Sequence, residues 1–312
     1  MPRIITVAVS KNVWLVILFL LCGANSIIAQ TDTTYIGKFD QEFAARISMI
    51  QKVASLSHEN NADLNLEYRA NNPFAIGGGL SWQGMGFNVS QAINYTDKKK
   101  GKTKSFDFQY HHYGKKVTFD LFLQNYKGFF LENRKENYTL FPDMKFTRYG
   151  VFGQYVFNGN KFSYRAAFDQ SEIQLRSAGS LLLGGGAYYT KVNYDDGISF
   201  HEKMYQIGPS IGYAYTYIFS KKYFVTGSLT PGLSFNFENL NSKIDLNPTL
   251  HFKLASGYNA DDWSLNFSFL INRVYVSYSD DSQISVNSGS LHLTYIKRFD
   301  SKSKILKKLP SF

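Results

Sequence analysis

Six histidines, His58, His111, His112, His201, His251 and His292, are the residues of this 312-residue chain best suited to acid–base work. Beside a serine, a histidine activates a hydroxyl for attack on an ester; beside a carboxylate it holds or relays a proton. His111 shares an alternation face with Asp107 and Gln109, and His251 and His292 lie on the polar faces of their own segments. With Asp120, Arg165 and Asp169 these form a candidate polar cluster, Asp107, Gln109, His111, Asp120, Arg165, Asp169, His251 and His292. No recognisable spacing organises it: the sequence has no Gly-x-Ser-x-Gly elbow, His-Glu-x-x-His helix, phosphate loop or metal-ligand spacing. Isolated inward histidines usually serve as hydrogen-bonded filler, so no catalytic, metal or cofactor-binding residue is assigned. The chain reads as a non-enzyme, with a lipid-acting hydrolase of lipase or deacylase type as the alternative.

Residues so far apart in sequence meet only if extended segments carry them onto one surface, and the sequence supplies such segments. From Trp263 the odd positions Trp263, Leu265, Phe267, Phe269 and Ile271 are apolar, while the even positions Ser264, Asn266, Ser268, Leu270 and Asn272 are nearly all small and polar. Val117, Phe119, Leu121 and Leu123 stand in the same way against Thr118, Asp120, Phe122 and Gln124, and Leu233, Phe235 and Phe237 against Ser234, Asn236 and Glu238. A period of two is the signature of strands with unlike faces. It predicts strands at 43–56, 62–70, 74–83, 85–93, 103–113, 116–127, 147–158, 161–176, 180–192, 203–219, 222–237, 247–257, 262–277 and 284–299. Asn158-Gly159 reads as a hairpin dipeptide, and the clusters Gly77-Gly78-Gly79 and Gly184-Gly185-Gly186 read as bends or close packing in a curved sheet.

Composition narrows the setting. Phe (27) and Tyr (22) are too abundant for a disordered chain, and one cysteine can make neither an internal disulfide nor a Cys-rich zinc site. Arg3 and Lys11 precede or flank the short apolar run Val13 to Leu21, and Ala29 offers a small residue at the exit. Residues 1–29 therefore read as a secretory signal peptide. Cys22 offers an alternative, lipid acylation, although Phe19-Leu20-Leu21 lacks the small residue that such processing favours. Removing Arg3 and Lys11 with the leader lowers the net charge from +10 to +8. Residues 30–42 then form a short periplasmic segment, 43–299 the folded body and 300–312 a basic tail bearing Lys302, Lys304, Lys307 and Lys308.

A soluble sandwich would also alternate, but its polar faces would carry more Lys and Glu than Ser, Asn, Gln, Thr and Gly. Small polar residues behind aromatic-rich faces fit a lumen and a lipid surface. The expected fold is all-β: a transmembrane, antiparallel, up-and-down β-barrel of about twelve strands, within a range of ten to fourteen, in the outer membrane. Counted back from Phe299, the loops at 193–202, 238–246 and 278–283 fall outside, whereas the long loop 128–146 and the basic loop 92–102 fall on the periplasmic side. That breaks the usual rule and implies a merged or missed strand. The last strand, with Leu291, Leu293, Tyr295 and Phe299, suits recognition by the barrel assembly machinery. Outer-membrane lipid and lipopolysaccharide are the expected partners of the lysines, and scattered basic residues in an exported chain argue against nucleic acid.

Three stretches add a resemblance: Tyr68-Arg-Ala-Asn-Asn-Pro-Phe-Ala-Ile-Gly-Gly-Gly-Leu80, Gln124-Asn-Tyr-Lys-Gly-Phe-Phe130, and Lys161-Phe-Ser-Tyr-Arg-Ala-Ala-Phe168 followed by Gln174-Leu-Arg-Ser-Ala-Gly-Ser180. Their combination and order resemble domain-of-unknown-function family 4421 of exported Bacteroidota proteins, over nearly the whole mature chain. The sequence departs from that pattern at Phe129-Phe130, where the family has Phe-Tyr. The resemblance implies an outer-membrane barrel with no family catalytic residues to carry over. The expected function is a passive pore or transporter, or a structural envelope component.

Overall fold

A computed structural model describes residues 31–299, apart from 42, 61–64, 72–73, 83–84, 94–96, 134–136, 195–199, 221, 238–243 and 279–281. The expected leader and basic tail lie outside the described residues. Fifteen strands follow in order: β1 (Ile36–Lys38), β2 (Phe43–Asn60), β3 (Asn65–Arg69), β4 (Ala75–Trp82), β5 (Met85–Ala92), β6 (Lys104–Tyr113), β7 (Val117–Asn133), β8 (Asn137–Val156), β9 (Glu172–Gln174), β10 (Ala178–Tyr194), β11 (Phe200–Ser220), β12 (Tyr223–Phe237), β13 (Asp245–Asn259), β14 (Trp263–Tyr278) and β15 (Ser282–Phe299). All but β1 and β9 belong to one antiparallel sheet, which closes through β15 onto β2. No helix among the described residues is long and apolar enough to cross a membrane; the strands make the wall.

The alternation seen in the sequence is inverted relative to a water-soluble sheet. Ile211 (61%), Leu181 (56%) and Leu293 (45%) are exposed, while Thr226, Ser264 and Asn236 are fully buried. A closed barrel in hydrocarbon has this order, because lipid takes the apolar face and the ladder satisfies every backbone group.

Closure follows two routes. Near one end β2 pairs with β3, which pairs with β7, giving a ring of ten strands. Near the other end β4, β5 and β6 take the place of β3 between β2 and β7, giving twelve. β3 and β4 both run antiparallel to β2, so they are two pieces of one interrupted strand. At the step, Gly128 has φ 93° and interrupts the β7–β8 register, and its carbonyl accepts from Thr103 Oγ1 at 2.6 Å. A side chain there would strain the backbone.

The ladder also fixes the tilt in the twelve-strand part. Outward Cα partners followed from Tyr223 of β12 through Tyr258, Leu265, Tyr295, Ile47, Gly78, Val89, Phe108, Leu123, Tyr149, Tyr189 and Tyr205 return to β12 at Phe237, 14 residues further on. At about 3.3 Å per residue and about 4.8 Å between strands, that stagger tilts the strands by about 39° and gives a backbone radius of about 12 Å. Tyr205 and Tyr217 of β11 then lie about 31 Å apart along the axis, a span suited to two aromatic girdles around an apolar band.

One predicted strand is absent. Residues 161–176 form a turn, a single π-helical turn at Arg165–Asp169 and the short β9, which pairs with β1. With that segment removed from the count and β3 and β4 taken as one strand, the N-terminal topology becomes regular. The residues expected to form a loop at 128–146 instead continue β7 to Asn133 and begin β8 at Asn137, and these ends lie with the end of β2, the end of β5, the start of β6, the end of β10, the end of β12 and the end of β14. The closely spaced strand ends of β4 and β5, β6 and β7, β11 and β12, and β13 and β14 gather at the opposite end.

Candidate functional site

The segment 157–177 folds inward and fills the barrel at the short-turn end. Phe162, Tyr164 and Ala167 are at most 3% exposed and pack against wall residues including Leu182, Ala214, Phe224 and Ala255. Two wall arginines clamp its tip. Arg46 pairs with the Asp169 carboxylate and donates to the Asp169 carbonyl and to Ser81 Oγ, each at 2.8 Å. Arg298 donates from Nη2 to the Gln170 carbonyl at 2.8 Å and to Ser264 Oγ at 2.6 Å. Gln170 has φ 53°, so the chain turns sharply at the point that Arg298 holds. Tyr164 shares a 2.7 Å hydrogen bond with Ser228, and Arg165 donates to the Tyr113 carbonyl and pairs with Glu172 at 3.4 Å. We call this segment the plug.

Toward the opposite end the lumen is filled by apolar side chains, Leu56, Tyr126, Phe146, Val192, Met204 and Val286. Between the two closures lies a cavity of about 170 Å³, lined by Lys52, His111, Asp120, Arg148, His251, Lys253 and His292 among others. Asp120 is the acceptor at its centre, bonded to His111 Nδ1 at 2.6 Å and to Lys253 Nζ at 3.0 Å. His251 stacks on Phe152 with ring centroids 4.3 Å apart, and its Nδ1 meets Asn272 Oδ1 at 2.8 Å. His292 Nε2 lies 2.8 Å from Ser290 Oγ. The outward-facing Val53, Gly78 and Val89 also border the cavity, where β2 exchanges β4 for β3; Lys52 Nζ donates to Ser90 Oγ at 2.9 Å beside them.

Arg148 is the unusual member. It is 2% exposed, and its Nε and Nη2 have no hydrogen-bond partner. Its guanidinium lies 5.3 Å from the centre of the Phe122 ring and 4.7 Å from that of Tyr188. The register explains the platform: Phe122, Gly150 and Tyr188 are successive cross-strand partners, and with glycine in the middle the two rings stack at 5.6 Å. A Cβ on Gly150 would meet Tyr188 at 2.5 Å and Phe122 at 2.6 Å. Gly150→Val is therefore expected to destabilise the barrel by about 1–3 kcal/mol through overpacking, measured as a lower unfolding midpoint in detergent.

The sequence-selected residues are thus divided. His111, Asp120, His251 and His292 line one cavity together with Asp169, whereas Arg165 belongs to the plug. Asp107 and Gln109 pair through their backbones with Gln124 and Phe122, and their side chains lie outside the description. Sequence reasoning missed Arg148, Lys253, Arg46 and Arg298. Each was marked by the same signal that selected the others, a charged residue at an inward position of an alternating strand. No cluster of three or more metal-ligating side chains occurs among the described residues.

A model of the domain-of-unknown-function family DUF4421 matches residues 30–299. The chain belongs to that family. No curated protein matches the sequence. Among solved structures, this DUF4421 barrel is similar to the P. putida toluene transporter TodX (TM-score 0.32, 7% identity, 83% of this chain and 91% of that chain). A bacterial polysaccharide outer membrane secretin matches with TM-score 0.39 and 8% identity over 83% of this chain and 99% of its own. The β-domain of the Bordetella autotransporter BrkA matches with TM-score 0.35 and 11% identity over 83% and 100%. Similarity at this level carries no function to the DUF4421 chain, whose chemistry must be read from its own lumen.

Proposed function

We propose that this protein is an outer-membrane barrel, plugged end toward the periplasm, that accepts a small anionic solute into its lumenal chamber and passes it when the plug moves. Arg148 carries the reading. A buried, unpaired guanidinium is costly. Its faces are covered by Phe122 and Tyr188, and the unmet donors Nε and Nη2 share the edge that matches two oxygens of a carboxylate or phosphate. The described charges around the cavity lean the same way, with Arg46, Lys52, Arg148 and Lys253 against Asp120 and Asp169. Short turns at the plugged end and longer loops at the other support the orientation. The assembly machinery would then read β15, whose outward Leu291, Leu293, Tyr295 and Phe299 end at the periplasmic face.

Planar-bilayer recordings test this. The intact protein is expected to conduct little, and deletion of residues 161–174 to give a channel that prefers anions. Arg148→Met in that background should reduce the preference toward unity. A deletion channel selective for cations, or unchanged by the Arg148 substitution, would refute the proposal. The Ser290–His292 contact supports a hydrolase as the second reading. It predicts fatty-acid release from phospholipid that His292→Ala abolishes. Against it, the carboxylate contact belongs to His111 on β6, four strands along the wall from His292 on β15.

A further inference from the structure

Five lysines project from the outer wall in two adjoining rows. Lys104 of β6, Lys127 of β7 and Lys145 of β8 are direct cross-strand partners. One row nearer the plug, Lys191 of β10 and Lys203 of β11 are partners in the same way. Lys104, Lys145 and Lys203 are exposed, and Lys127 and Lys191 half-exposed. Like charges directly opposite one another in a ladder repel, so a sheet carrying two such sets gains from an anion placed between them. Among the described residues, the carboxylate touching this band is Asp143, 2.8 Å from Lys127. One carboxylate beside five ammonium groups leaves the band strongly positive.

The next row toward the plug fixes its height. Tyr149, Tyr189 and Tyr205 are consecutive partners there, with ring centroids 6.0 and 5.1 Å apart, and Leu123 continues the row on β7. An outward tyrosine ladder at the edge of an apolar band marks the level of lipid headgroups. The lysines stand immediately beyond it, at the end of the barrel away from the plug.

We propose that this lysine band binds the phosphate groups of a phosphorylated outer-leaflet lipid, whose acyl chains lie along the apolar wall below Tyr149, Tyr189 and Tyr205. The ammonium groups supply charge and the tyrosines a headgroup shelf, so one lipid is held at both its parts. This names a partner for the outer surface and rests on the membrane-embedded, plug-inward orientation proposed above.

The experiment titrates the full chain in neutral detergent with a glucosamine-based lipid carrying two phosphates and follows the thermal unfolding midpoint. A saturable rise is expected with the phosphorylated lipid, little with the same lipid stripped of phosphate, and none with inorganic phosphate at equal concentration. Lys191→Gln with Lys203→Gln should weaken the apparent affinity on the order of tenfold, and glutamine at all five positions should abolish the response. Arginine at all five should retain it, which separates lost charge from lost folding. Equal stabilisation by the dephosphorylated lipid, equal stabilisation by inorganic phosphate, or an unchanged affinity in the glutamine variants would overturn the proposal. If no lipid of either kind raised the midpoint, the membrane-embedded reading itself would fail.

Discussion

Replacing Asp169 by alanine is expected to destabilise the folded barrel by about 3–5 kcal/mol without opening it. The carboxylate is 1% exposed, and besides Arg46 it accepts from Ser171 Oγ at 2.7 Å. Without it, the buried Arg46 guanidinium keeps two neutral oxygens, the Asp169 carbonyl and Ser81 Oγ, and no countercharge. The plug nevertheless retains the Arg298 clamp on Gln170 and the burial of Phe162 and Tyr164, each of which contributes about 1.5–3 kcal/mol. Those contacts do not depend on the Asp169 carboxylate, so conductance should stay low while the unfolding midpoint falls. Combining Asp169→Ala with Arg298→Ala removes both clamps, and single-channel openings should then become frequent. A single Asp169→Ala channel that is already open would show that the ion pair alone holds the plug, and an unchanged midpoint would show that Arg46 finds another partner.

The barrel was legible in the sequence because lipid and lumen impose opposite preferences on alternate residues, and β11 to β15 obey that rule over long runs. The plug obeys it too, for a different reason. Phe162, Tyr164, Ala166 and Phe168 alternate with Ser163, Arg165, Ala167 and Asp169, as a strand would. In the fold, Phe162, Tyr164 and Ala166 are buried, but so are Ser163, Ala167 and Asp169, because the segment is surrounded on every side by the barrel interior. Period two records that neighbours differ, not which surface they meet. That one ambiguity added a strand, reversed the phase of β4 to β8 and placed 128–146 and 92–102 at the wrong end, while counting β3 and β4 as two strands turned the phase back for β2 and β3.

The site was legible in the same partial way. Inward position follows from parity, so the sequence alone groups His111, Asp120, His251 and His292. Which of them touch depends on the stagger around the wall, a property of the closed ladder that no single segment contains. Lys253 meets Asp120 across the lumen, 133 residues away in sequence. One arginine between Phe146 and Gly150 carries no local signal, because the importance of Arg148 arises from Phe122 and Tyr188, supplied by the strands on either side.

Asp120→Asn carries the other large expected effect. Asp120 is the carboxylate that joins β6, β7 and β13, through His111 on one side and Lys253 on the other. Both partners are largely buried, with side chains 19% and 11% exposed. The amide would leave the Lys253 ammonium inside the barrel without its countercharge, a loss of about 3–5 kcal/mol. If the cost is the orphaned charge rather than the missing hydrogen bonds, Lys253→Met on top of Asp120→Asn should recover most of it, because a buried pair replaced whole by neutral groups is often close to neutral in stability. Urea unfolding of the four proteins in the cycle measures this directly, and a coupling energy above about 1.5 kcal/mol is expected for contacting residues. Additive losses would mean that Asp120 and Lys253 act independently, and the chamber's charge would then have to be assigned to Arg148 and Lys52.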